Sequence, residues 1–124
     1  GIESFAALFK KKIFIVNNFP AGRKPRYLNC TYIPQIYTQN KNLLKFKDIP
    51  KKILLSEEVE NLKYHNINLL KASSTDILQM VKENIESENF VGVDISNEDF
   101  IIEGKKSKSN ICPVWFKKNY NLFK

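Results

Sequence analysis

Three cations fall within four positions at Arg23, Lys24 and Arg26, inside the stretch Phe19-Pro20-Ala21-Gly22-Arg23-Lys24-Pro25-Arg26. Guanidinium and ammonium groups at that density suit phosphates and carboxylates, and can neutralise charge that builds on a leaving group. A solvated turn would use the same residues. A second candidate opens the sequence, where Gly1, Glu3 and Ser4 precede apolar residues at Ile2, Phe5, Ala6 and Phe9 with helical spacing. Such a helix would turn its first N–H groups outward after the glycine, with the positive end of its dipole behind them, ready for a diphosphate. Ordinary capping also favours Glu3 and Ser4 there. The run Lys105-Lys106-Ser107-Lys108-Ser109 reads as a polar, cationic loop.

Other chemistries are poorly represented. The sequence has no phosphate-loop motif, no glycine-rich dinucleotide fingerprint, no metal-binding cluster and no Ser-His-Asp arrangement. His65 is the single histidine and falls at an expected helix end among polar residues, which favours a cap or surface role. Cys30 and Cys112 are too few and too far apart for a disulfide framework, so both are read as free thiols in a reducing, cytoplasmic compartment.

The elements that would position these groups alternate. A helix over the first nine residues would lead into Ile13-Phe14-Ile15-Val16, a short β-branched run suited to a strand buried on both faces. This predicts an α–β step of a parallel sheet, followed by a proline- and glycine-bearing loop at the strand's carboxyl end, where such sheets place their ligand crevice. Tyr27 to Thr38 reads as extended and half-buried around Pro34. Asp48 with Pro50 predicts a helix to about Leu55, and Ser56 before Glu57 and Glu58 a second to about Tyr64. A strand over 67–72 precedes the clearest helix, capped by Ser73 or Ser74, with Ile77, Met80, Val81 and Ile85 as its apolar stripe. Beyond Glu88 the periodicity lapses, predicting a loose connection before a last helix from Pro113 to about Phe123.

The chain has 124 residues, 43% of them hydrophobic and 12% aromatic, enough for one domain with its own core. No run approaches the roughly 18 to 20 apolar residues of a membrane span, and no signal peptide is evident. The net charge of +7 raises phosphorylated substrates, nucleic acid and anionic lipid as partners, although abundant Lys, Asn, Ile and Phe together also indicate an AT-rich genome that adds lysines to any tolerant surface. Beginning at Gly1 with an element under way, the chain reads as the C-terminal portion of something longer.

The order of features resembles one family. Gly1-Ile2-Glu3-Ser4 before Ala6 to Asn17 is similar to the helix, lysine and buried-strand segment of the C-terminal domain of glycosyltransferases built from two Rossmann-like domains. More closely, the chain resembles bacterial surface-polysaccharide glycosyltransferases. The resemblance rests on Asn17-Asn18, Tyr27 with Ile33-Pro34, Leu44-Lys45-Phe46-Lys47-Asp48-Ile49, Leu69 to Ser73 before the Ile77 helix, and Asn110 to Asn119. It implies an α/β fold with a partial Rossmann-like parallel sheet and flanking helices. The chain would form a single incomplete nucleotide-sugar-binding domain over 1–124, with 90–124 as a loose extension and terminal helix.

The same resemblance implies metal-independent transfer of a sugar from a nucleotide-sugar donor to a cell-surface glycan, free or lipid-linked, with no cofactor. Gly1, Glu3, Ser4, Asn18, Arg23 and Arg26 would then meet the donor. The catalytic base would belong to a preceding N-terminal domain, and the enzyme would work in the cytoplasm, touching the inner face of the membrane peripherally without binding nucleic acid. The competing readings are a basic module for nucleic acid or anionic membrane, and a sugar-nucleotide epimerase of similar fold.

Overall fold

A computed structural model describes residues 5–9, 12–26, 30–85 and 92–124 of the chain. Among the described residues seven strands form two sheets: β1 (Phe5–Phe9), β2 (Lys12–Asn18), β3 (Cys30–Pro34), β4 (Ile36–Gln39), β5 (Asn42–Leu43), β6 (Ile67–Leu70) and β7 (Asn110–Ile111). The helices are α1 (Lys51–Leu54), α2 (Val59–Tyr64), α3 (Ser74–Ile85) and α4 (Pro113–Lys118). The larger sheet runs β1-β2-β3-β7, with β2, β3 and β7 mutually parallel and β1 antiparallel to β2. The chain is therefore a mixed α/β protein with a three-strand parallel segment.

The first element corrects the sequence reading. Phe5–Phe9 is a strand rather than a helix, paired from Phe5 with Val16 to Phe9 with Lys12. Five consecutive apolar residues satisfy a helical stripe and a strand equally well, and Ile13 to Val16 offers an adjacent ladder that a lone helical turn could not match. Only positions 10 and 11 separate the pair Phe9 and Lys12, the spacing of a tight hairpin. The expected α–β step is thus a β-hairpin.

β2 itself matches expectation. Phe14, Ile15 and Val16 are buried, and Phe14 and Ile15 pair in parallel with Thr31 and Tyr32. The register slips between Ile15 and Asn18, where Asn17 takes a positive φ of 53° and its side-chain Oδ1 accepts a 2.7 Å hydrogen bond from the Ala72 amide. That bond fastens the end of β2 to the segment after β6. Asn tolerates the left-handed region better than most side chains, so the bulge costs little.

Residues 27–29 of the segment read as half-buried lie outside the described residues, and every position from Cys30 to Tyr37 is buried. Gln35 lets the chain leave the first sheet for the second, in which β4 lies between β5 and β6. Its Nε2 donates to the carbonyls of Ile36 and Leu70, 2.9 Å each. Asn40 and Lys41, with φ of 51° and 67°, make the two-residue turn that joins β4 to β5.

The helix expected from the Ile77, Met80, Val81 and Ile85 stripe is α3, and Ser73 Oγ accepts from the Asp76 amide at 3.1 Å as its N-terminal cap. It packs against β2 and α4. The helix placed after Asp48 is shorter than expected. Asp48 belongs to a single 3-10 turn and Pro50 takes the N-cap position of α1, while α2 begins after Glu58 rather than Ser56.

Within the region expected as a loose extension, the described residues 92–124 contribute to the core. Ile95, Phe100 and Ile101 are buried, and Ile111 of β7 pairs with Tyr32. Phe46 stacks on Phe100 with centroids 4.2 Å apart, and Phe123 from the closing 3-10 turn meets both rings. Aromatic burial on this scale needs no secondary-structure period, which is why it escaped a periodicity argument. Both cysteines are free and buried, and burial pushes each thiol up to about 12. No described helix is long and apolar enough to cross a membrane.

Candidate anion-binding cavity

The segment from Gly22 to Arg26 runs beside residues 101 to 109, about 80 positions later in the sequence. The carbonyl of Gly22 accepts from the amides of Ile102 and Glu103, and the Lys24 amide donates to the Glu103 carbonyl at 3.0 Å. Further along, the hydroxyls of Ser107 and Ser109 both donate to the Pro25 carbonyl. Gly104 turns the second strand of this contact with a φ of 78°, and a Cβ there would stand 2.9 Å from the Lys24 carbonyl oxygen. Only glycine meets both demands without a shift of the backbone.

This stitching sets Arg26 next to the lysine loop. A cavity of about 620 Å³ is lined by Arg26, Ile102, Gly104, Lys105, Lys106, Ser107 and Lys108. A second cavity of about 450 Å³ shares Lys105, Lys106, Ser107 and Lys108 and adds Asp94, Ser96 and Asn110. Arg26 precedes β3 and Lys108 precedes β7, so these cations belong to segments that lead into the amino ends of two parallel strands. The crevice at the carboxyl end of β2 was the expected location for Arg26 and is not where the chain takes it.

The three neighbouring cations of the first loop have separate fates. Arg23 is half-buried, with Nη1 donating to Glu57 Oε1 at 2.5 Å and Nε donating to Glu103 Oε2 at 2.6 Å. The hydrogen bond to Glu57, then that to Glu103, raise its already high pKa. Lys24 has a fully buried side chain whose ammonium donates to Ser96 Oγ at 2.6 Å and to the Ser107 carbonyl at 2.8 Å, with Asp94 Oδ1 at 3.5 Å. Arg26 is exposed, and among the described residues neither it nor Lys105, Lys106 or Lys108 forms an ion pair within 4.0 Å.

Asn18 is also committed internally. Its Nδ2 donates to the Arg23 carbonyl at 2.8 Å, and its own carbonyl accepts from the Gln35 amide at 3.0 Å. Gly1, Glu3 and Ser4, expected at the donor phosphates, lie outside the described residues. The helix that was to present its N-terminus from Gly1 is absent from Phe5–Phe9, so its dipole cannot serve an anion through those residues. His65 follows α2 at its C-terminal end, as the sequence placed it.

Asp94 forms the acidic edge of the smaller cavity. Its carboxyl is held below the ordinary value by the Ser96 hydroxyl, then by the Ser96 amide and by Lys24. All of these hydrogen bonds reach Oδ1, at 2.6 Å from Ser96 Oγ and 2.9 Å from the Ser96 amide. Among the described residues none uses Oδ2.

The sequence alone missed the union of Arg26 with Lys105, Lys106 and Lys108, as well as the part of Asp94. The Lys-Lys-Ser-Lys run was visible as a cationic loop, but nothing in a single sequence ties it to Pro25 and Arg26. No group of three or more His, Cys, Asp or Glu side chains suited to a metal ion occurs among the described residues. Comparison with known proteins finds no matching family model, no matching curated protein and no matching solved structure.

Proposed function

We propose that the chain binds the phosphate of a small anionic ligand in the cavity between Arg26 and the lysine loop, and that it serves as the donor-binding part of a glycosyltransferase. The observation that carries the first half is electrostatic. Arg26, Lys105, Lys106 and Lys108 line one cavity with no carboxylate partner among the described residues. Like charges gathered around a concave surface repel one another, and an anion in the cavity relieves that repulsion while accepting several charge-assisted hydrogen bonds. A guanidinium fork and compact ammonium charges, as Arg26 and the lysines supply, both suit a phosphate.

The second half draws on the resemblance of the residue order to surface-polysaccharide glycosyltransferases, and the parallel strands β2, β3 and β7 with α3 packed on β2 are compatible with it. Under this reading the diphosphate of a nucleotide-sugar lies against the lysine loop rather than at a helix start near Gly1. The cations stabilise negative charge developing on that leaving group. Arg23 supports the loop and does not reach the donor.

Calorimetric titration of the full chain with pyrophosphate and with uridine diphosphate, at low and physiological salt, tests the site. Saturable one-to-one binding that weakens at least tenfold on replacing Lys105, Lys106 and Lys108 together by Ala is expected. Unchanged binding in that variant would remove the cavity from the proposal. Binding of every polyanion alike, with a steep loss in salt, would instead favour a basic nucleic-acid or membrane module.

A further inference from the structure

A smaller cavity of about 210 Å³ is lined by Lys52 and Ile53 of α1, Ser56 of the connection, Asn61 and Tyr64 of α2, and His65 at its end. It shares no residue with the cavities at the lysine loop. We propose that it binds a small carboxylate with a hydrocarbon body. The hydrocarbon lies on Ile53, and the carboxylate oxygens meet the Lys52 ammonium with Tyr64 and His65 as neutral donors. This site does not depend on the phosphate reading above.

The polar groups of this cavity fall into two sets. Ser56 and Asn61 are engaged with each other, since Ser56 Oγ accepts from Asn61 Nδ2 and from the Glu58 amide at 3.3 Å each. By contrast the Lys52 ammonium, the Tyr64 hydroxyl and the His65 ring form no hydrogen bond or ion pair among the described residues. The Tyr64 and His65 rings meet edge to face, with centroids 5.6 Å apart, which keeps both in one wall. Ile53 is buried and supplies an apolar surface, and no Asp or Glu lines the cavity. One fixed positive charge, two neutral donors and an apolar surface match a ligand with a single negative charge and an apolar body. A phosphate dianion would leave one charge uncompensated beside Ile53.

The backbone holds these groups in place. Gln39 Nε2 of β4 donates to the His65 carbonyl at 3.0 Å, and Asn66, with a φ of 59°, turns the chain directly after it. The carbonyls of Ile53, Leu62 and Lys63 accept from the amides of Ser56, His65 and Asn66. These acceptors at the C-terminal ends of two short helices are thereby engaged, which lessens their repulsion of an anion.

Benzoate and its neutral isostere benzamide can be titrated into the full chain and followed by NMR chemical shifts, in the wild type, Lys52→Ala and His65→Ala, with a thermal melt of each variant to confirm folding. The wild type is expected to bind benzoate at least fivefold more tightly than benzamide, with the largest shifts at Ile53, Tyr64 and His65. Lys52→Ala should weaken benzoate at least fivefold and His65→Ala at least twofold, while pyrophosphate affinity stays level in both. Equal affinity for benzoate and benzamide, no benzoate binding, or benzoate affinity unchanged in Lys52→Ala overturns the carboxylate site. A parallel loss of pyrophosphate affinity in Lys52→Ala would reveal a general charge effect and overturn it too.

Discussion

Lys24 and Arg26 are two residues apart, yet the fold uses them in opposite ways. Lys24 is buried and bound by Ser96, Ser107 and Asp94, so its charge is consumed in joining three segments of chain. Arg26 is exposed at a cavity with Lys105, Lys106 and Lys108, and the protein supplies no carboxylate within 4.0 Å among the described residues. Arg23 belongs with Lys24, since Glu57 and Glu103 neutralise it. A run of cations in sequence is thus two populations in space: one holds the loop, the other lines a cavity. Charge density alone could not separate them, because partner carboxylates come from residues 34 to 80 positions away.

The strongest way to break this contrast is to remove the buried member. Lys24→Ala leaves the Ser107 carbonyl without its donor and opens space under the loop, for an expected loss of about 2–4 kcal/mol in chemical denaturation. A loss under about 0.5 kcal/mol would mean that Lys24 is as dispensable as a surface lysine. Next in size is Gly104→Ala, which meets both a positive φ and the Lys24 carbonyl. We expect about 1–3 kcal/mol of destabilisation and weaker pyrophosphate binding together, since the turn positions the lysine loop.

The outward population should behave in reverse. Replacing Lys105, Lys106 and Lys108 by Ala should leave stability within about 0.5 kcal/mol of wild type, because exposed unpaired lysines contribute little to folding, yet lower pyrophosphate affinity at least tenfold. Arg23→Ala sits between the two groups. Its ion pairs are partly exposed, with side-chain accessibilities of 33%, 65% and 41% for Arg23, Glu57 and Glu103, so about 1 kcal/mol or less of stability and no direct loss of affinity are expected. A tenfold affinity loss in Arg23→Ala with the melt unchanged would return that residue to the site.

The smallest effect is a pH response. The Asp94 carboxyl lies below its ordinary value in the folded chain, so its stabilising contribution is present above the unfolded carboxylate pKa of about 4 and fades as pH falls through the folded value. The melting temperature of the wild type should therefore drop slightly more than that of Asp94→Asn between neutral and strongly acidic pH. Equal drops would show that the Ser96 and Lys24 contacts do not bias its ionisation.

Several parts of the fold were legible because one local rule sufficed. β2 announced itself through a short β-branched apolar run, and α3 through its four-residue stripe and Ser73 cap. Phe5–Phe9 failed because its apolar residues suit either period, and the choice was made by a neighbouring strand. Residues 92 to 101 failed differently. Ile95, Phe100 and Ile101 are anchored by aromatic stacking and isolated bonds, for which sequence carries no period.

The sequence by itself determined the excess of cations, the free thiols, the amphipathic helix and the central buried strand, since each follows from residue type and spacing along a few turns of chain. Tertiary structure decided which cations are satisfied and which face a cavity. Coulombic and hydrogen-bond partners act over a few ångströms in space regardless of separation in sequence, and only the stitching of Gly22–Arg26 to residues 101 to 109 brings those distances into range.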